Sequence, residues 1–287
     1  MTLFRTFILL LLIPAAVYSQ QPADSVSPKS IRKSRPAFIN ICLGISGTNY
    51  RDFATSPMIY RGSGFNFNLE FLRFDKERER MFSVSNSFGG YGATSITEYT
   101  SSSAFINSIK YTRLFKLNGL PTEKWNLKIG GSAFFTNIIR TNVNLHNNST
   151  GFEMFHTIFI SGKITRDVSR KKTKEKILFF IPYRRVPRQR ELSMQLNLPF
   201  MNNTFRNGFL YFNQTFLSDV PQIFYEYEYK MFSGFRISSI IDYTIKLKNC
   251  NSLKISYVWD AYKTSAVPEK FEMAHHFILF SLMFNTK

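Results

Sequence analysis

The feature that most limits what this chain can fold into is a period-two alternation of apolar and polar residues that recurs along most of its length. Such alternation marks a strand whose two faces meet chemically different surroundings. From Ala37, one face reads Ala37, Ile39, Ile41, Leu43 and Ile45, and the other Phe38, Asn40, Cys42, Gly44 and Ser46. Phe65, Phe67, Leu69 and Phe71 then alternate with Asn66, Asn68 and Glu70, and Phe82, Val84 and Phe88 with Ser83, Ser85 and Ser87. In that third run Asn86 breaks the apolar face. Similar runs follow near residues 105–112, 125–135, 157–164, 192–198, 236–247, 253–260 and 276–284, giving ten runs of about 9–15 residues. Strands of soluble proteins average about 5–6 residues, whereas a tilted strand that crosses a bilayer needs about 9–11. Beyond residue 35 no uninterrupted apolar stretch reaches the length of a transmembrane helix.

The first segment carries an export signal. Arg5 supplies a positive start, residues 7–16 (FILLLLIPAA) an apolar core, and Val17 and Ser19 the small residues of a cleavage site. The expected divisions are a signal peptide over residues 1–19, a flexible polar leader over 20–35 and a barrel over 36–287. The formal charge of +18, from 37 Lys and Arg against 19 Asp and Glu, would suit nucleic acid or an anionic membrane surface. An exported chain should not meet nucleic acid, which leaves lipid as the expected anionic partner.

The connections between runs read as two alternating sets. Residues 75–80, 117–124 and 248–251 are short and polar; residues 51–61, 94–103, 142–149, 201–234 and 262–272 are longer. This is the expected pattern of periplasmic turns and outer loops. Residues 166–190 (RDVSRKKTKEKILFFIPYRRVPRQR) break it, forming a long basic turn that bears Arg170, Lys171, Lys172, Lys174, Lys176, Arg184, Arg185 and Arg188 around an apolar centre. Basic residues near anionic lipid gain about 1 kcal/mol each, so this turn is expected on a membrane surface. Ten strands are expected, or twelve if the apolar centre of the turn adds a strand that pairs with residues 207–212.

A backbone in lipid must satisfy its own hydrogen bonds, so a chain without apolar helices crosses only as a closed barrel. The expected fold is therefore all-β, a transmembrane antiparallel up-and-down barrel. Its lumen-facing charges are expected to be Glu70, Lys110, Lys128, Lys163, Arg236, Asp242, Lys246, Lys254 and Asp260, paired across a narrow interior. Tyr50, Tyr60, Tyr91, Trp125, Tyr243, Tyr257, Trp259 and Tyr262 are candidates for an interfacial aromatic girdle. On these residues the chain resembles the bacterial outer-membrane β-barrel proteins over about residues 35–287. The ending HFILFSLMF is similar to the terminal strand read by the barrel-assembly machinery, although Asn285, Thr286 and Lys287 follow it. The resemblance implies that machinery as a partner during insertion and an outer-membrane location; it is architectural and names no activity.

The chemistry-bearing residues are few. His146, His156, His275 and His276 are the histidines, and none has a nucleophile motif beside it. His275 and His276 are expected at the barrel rim, His156 on the apolar face near the interface. No metal-ligand spacing is present and no cofactor is expected. Cys42 falls on the inward face of the first strand and Cys250 in the turn before the ninth, strands that are not neighbours in a ten-strand barrel, so both should be free thiols. The expected function is a non-enzymatic scaffold that contacts an unidentified protein partner through its loops. The alternatives are a narrow pore for small anions and a lipid hydrolase or deacylase.

Overall fold

The computed structural model describes residues 35–94, 99–117, 124–148, 150–170, 173–178, 181–207, 227–265 and 270–286. The signal and leader segments, and Lys171 and Lys172 of the basic turn, lie outside the described residues. The strands are β1 (Ala37–Asp52), β2 (Ser56–Phe74), β3 (Arg78–Thr94), β4 (Tyr99–Lys116), β5 (Trp125–Thr141), β6 (Thr150–Asp167), β7 (Lys174–Leu178), β8 (Ile181–Arg185), β9 (Arg190–Asn207), β10 (Tyr227–Lys230), β11 (Phe235–Lys246), β12 (Ser252–Lys263) and β13 (Phe271–Asn285). Ten of them close into an antiparallel barrel: β1 to β6, β9, β11, β12 and β13, with β13 returning to pair with β1. The closing pair runs from Phe38 opposite Asn285 to Asp52 opposite Phe271. Closure gives each of these ten strands a neighbour on both sides.

The barrel is inverted relative to a soluble one. Phe65 is 75% exposed, Leu43 61% and Phe280 59%, all on the outer face. Asn40, Ser161 and Asn197 are fully buried inside. Burial thus follows the sequence alternation with the polar set inward, which is stable only where the outer face meets hydrocarbon. Ten strands, not twelve, close the barrel among the described residues. β7 and β8 pair only with each other as a separate hairpin within the basic turn.

Three sequence expectations about connections need correction. Residues 51–61 are not a long loop: β1 and β2 run through them and leave only residues 53–55 as the turn. Of the expected loops at 94–103 and 201–234, residues 94, 99–103 and 201–207 likewise belong to strands. The cause is that the alternation continues, with Tyr50, Asp52, Ser56 and Tyr60 buried in the interior, so pairing persists beyond the height a bilayer requires. Both termini of the barrel lie at one end, where the Thr286 N–H donates to the Ala37 carbonyl at 2.9 Å. This is the near end below; the opposite end, holding residues 53–55, is the far end.

β9 carries a bulge. Phe159 pairs with Pro199 but Ile158 pairs with Met201, so Phe200 is extra. Pro199 lacks the N–H a regular ladder needs, and a bulge accommodates it. The extra residue switches the inward face of β9 from odd to even positions, so Asn202, Thr204 and Arg206 are buried. Across from it, Gly234 has φ +78°, and a Cβ there would lie 2.0 Å from the Lys263 carbonyl oxygen. Gly234→Ala is expected to cost about 1–3 kcal/mol, read as a lower urea midpoint for folding into lipid vesicles.

Candidate functional site

The interior of the barrel is the candidate site, and it is built in layers. At the near end it opens as a vestibule of about 1120 Å³ whose lining includes Asp75, Lys128, Lys163, Asp242, Lys246 and Lys254. Here Glu79 accepts from the Lys163 Nζ at 2.5 Å and from the Lys128 Nζ at 3.4 Å. The second of these ties β5 to β3, and the first ties β6 to β3. Lys246 pairs with Glu191 at 2.9 Å nearer the mouth.

Above the vestibule the lumen narrows. Lys254 on β12 donates to Glu70 on β2 at 2.9 Å. Asn40 and Asn68 also donate to that carboxylate, at 2.5 and 2.9 Å. Arg236 forms two parallel bonds to Asp260, at 3.0 and 2.7 Å, and reaches across to the Thr136 hydroxyl on β5 at 3.0 Å. The Lys110 ammonium sits 5.0 Å from the centre of the Phe134 ring. Asp242 borders both the vestibule and the narrow middle. The remaining void at this level is about 70 Å³, room for a few waters.

The far half is filled. Tyr50 stacks on Tyr60 at 4.9 Å and meets Tyr91 edge-on at 5.5 Å. Phe155 of β6 crosses the lumen to Tyr262 of β12, 4.6 Å between ring centres, and to Phe271 of β13 at 5.8 Å. Around this cluster lies a four-member charge network. Asp52 on β1 accepts from Arg140 on β5 at 2.6 Å and from Arg206 on β9 at 2.9 Å. Glu153 on β6 accepts from Arg140 as well. Asp52 and Glu153 side chains are 1% and 2% exposed. The Arg140 guanidinium also covers the Tyr50 and Phe271 rings, at 5.2 and 4.8 Å. Strands on opposite walls are therefore joined through the middle of the barrel at every level above the vestibule.

The nine charges read from the sequence all project inward: Glu70, Lys110, Lys128, Lys163, Arg236, Asp242, Lys246, Lys254 and Asp260 line the vestibule or the narrow middle. The sequence reading missed Asp52, Glu79, Arg140, Glu153 and Arg206. Asp52 and Arg140 were legible as the next steps of their alternations, after Thr48 and Tyr50 and after Thr136 and Ile138. Arg206 was not, because the bulge at Phe200 changes the parity of β9. The girdle assignment needs correction: Tyr50, Tyr60, Tyr91 and Tyr262 are 1–4% exposed inside the lumen, while Trp125 and Tyr257, at 39% and 38%, face outward. The histidine assignment changes too. His275 is buried in the lumen, 2.9 Å from the Thr48 hydroxyl, whereas His276 points outward to the Tyr257 hydroxyl at 2.8 Å. Cys42 is a buried free thiol and Cys250 an exposed one.

No protein-family model and no curated protein matches the chain. Among solved structures it is similar to the outer membrane protease OmpT from Escherichia coli, with a TM-score of 0.52 at 7% identity over 91% of this chain and 99% of that one. The chain folds as an outer-membrane β-barrel. The transport unit of the autotransporter AIDA-I from Escherichia coli aligns at 8% identity over 92% of each chain with a TM-score of 0.41. The toluene transporter TbuX from Ralstonia pickettii aligns at 8% identity over 88% of this chain and 90% of that one with a TM-score of 0.31. At such identities the likeness concerns the fold alone.

On the basic turn, β7 and β8 carry Lys174, Lys176, Arg184 and Arg185, and Arg170 and Arg188 flank the hairpin. The Arg170 N–H donates to the Arg188 carbonyl at 3.4 Å, closing the base of the excursion near the barrel wall.

Proposed function

We propose that the protein is a non-enzymatic, non-conducting scaffold of the outer membrane. The observation that carries this reading is the filled far half of the lumen, where the Phe155–Tyr262–Phe271 contacts and the Asp52–Arg140–Glu153–Arg206 network join opposite walls. The apolar outer band supports the membrane location, with the near end toward the periplasm and the far end outside. The barrel-assembly machinery is the insertion partner, membrane lipid the partner of the basic turn, and a protein the partner of the loops. The separation of His275 inside from His276 outside supports a non-enzymatic reading, since the two share no site. Folded protein in planar bilayers is expected to give no conductance steps above the lipid baseline; discrete steps would sink the proposal.

A narrow pore for small anions is the second reading. What favours it is the vestibule, open at the near end and lined by several lysines. It requires the far-half contacts to part, and it predicts steps whose reversal potential in a salt gradient favours anions.

A further inference from the structure

Asn86, where the sequence alternation breaks, has two companions. In the register, Asn86 on β3 lies opposite Asn107 on β4, and Asn107 opposite Asn137 on β5. All three occupy outward positions, and the Asn107 carboxamide donates to that of Asn86 at 2.9 Å. The row sits inside the apolar band. On one side of it run Val84, Ile109 and Phe135, and on the other Phe88, Phe105 and Ile139, of which Phe88 and Ile139 are 59% and 42% exposed. β1 and β2 continue the same row with Leu43 and Phe67. The interruption is therefore confined to one wall.

A carboxamide has two N–H donors and an acceptor oxygen. One bond between Asn86 and Asn107 leaves donors on both, and Asn137 has no side-chain partner among the described residues. Facing acyl chains, these groups have nothing to bond to, which is unfavourable. Facing protein they are adhesive, as polar residues are between membrane-embedded segments. Immediately toward the far end a furrow of about 860 Å³, floored by Gly47, Ser63, Gly90 and Ser103, crosses β1 to β4 and overlaps this wall on β3 and β4. A Cβ placed on Gly47 or Gly90 would meet nothing within 4 Å. Small residues let a second backbone approach closely, so the polar row and the furrow point to the same kind of neighbour.

We propose that the β3–β5 wall is a contact surface for a second copy of this chain. The chemistry of the row selects that occupant. A carboxamide complements itself, giving and accepting at once, and a two-fold axis along the membrane normal through the middle of the row sets Asn107 against Asn107 of the second copy. Such an interface is isologous and closes at a dimer. The proposal rests on the apolar band lying in lipid, and the folded-state control below tests that separately.

The full chain with Asn107→Cys and Cys250→Ser, oxidised in membranes, is expected to give a disulfide-linked species of twice the monomer mass. Phe280→Cys in the same background, on a distant wall, should not. In lipid nanodiscs the unaltered protein should be dimeric, and Asn86→Leu/Asn107→Leu/Asn137→Leu should lower the dimer-to-monomer ratio at least tenfold. These substitutions make the wall more apolar, so the barrel should still insert, checked by its heat-modifiable gel mobility. A folded Asn107→Cys protein that stays monomeric, links to a different protein, or links no better than Phe280→Cys overturns the dimer. A protein that never acquires heat-modifiable mobility instead overturns the membrane reading beneath it.

Discussion

Asp52→Ala is expected to weaken folding into lipid vesicles by about 3–5 kcal/mol, the typical cost of removing one partner of a buried ion pair. Asp52 accepts from both Arg140 and Arg206, and all three side chains are at most 7% exposed. Without it both guanidiniums lose a buried carboxylate, and the Arg206 contact with Glu153 is long, at 4.0 Å. The desolvation that Asp52 offsets would then stand uncompensated. Urea titration of folding, followed by gel mobility, reads the effect as a lower midpoint with an unchanged slope. A loss below about 1 kcal/mol would mean that the far half is hydrated and the network loose. That outcome would also weaken the case for a closed lumen. Replacing the whole network by apolar residues of similar volume should cost far less than the single change, because no charge is left unpaired.

Leu43→Arg is expected to cost about 2–4 kcal/mol in the same assay, the range for a basic residue on the lipid face near the bilayer midplane. Its sign is what discriminates. Leu43 is 61% exposed, and in water an arginine at so open a site is close to neutral. In hydrocarbon it must drag its hydration inward or distort the bilayer. Thr244→Arg, on the inward face of β11 at the vestibule, provides the contrast, since the charge there can reach solvent at the mouth. Equal and small effects at both positions would contradict burial of the outer face in lipid.

Much of this architecture is written in the chain. Period two over long runs dictates strands, and the polar set of Asn40, Asn66, Asn68, Ser83 and Ser85 can be buried only against itself. With no long apolar helix among the described residues, closure follows, because an open sheet of this length would expose unpaired backbone to lipid. The sequence therefore reaches the barrel, its ten strands and the inward projection of the nine charges by local rules alone.

What it could not reach are the facts that depend on which strands stand opposite each other. The partnership of Asp52 with Arg140 and Arg206 spans 88 and 154 residues, and no local pattern encodes it; it exists because closure brings β1 to face β5 and β9 across a narrow lumen. The tyrosines Tyr50, Tyr60, Tyr91 and Tyr262 have the composition of an interfacial girdle, and only the direction of each side chain assigns them to the interior. Pro199 hints at a break in the ladder, but only the pairing shows a one-residue bulge at Phe200, which decides that Arg206 points inward. Composition and periodicity determine which surface each residue prefers; the register of a closed sheet decides what it meets there.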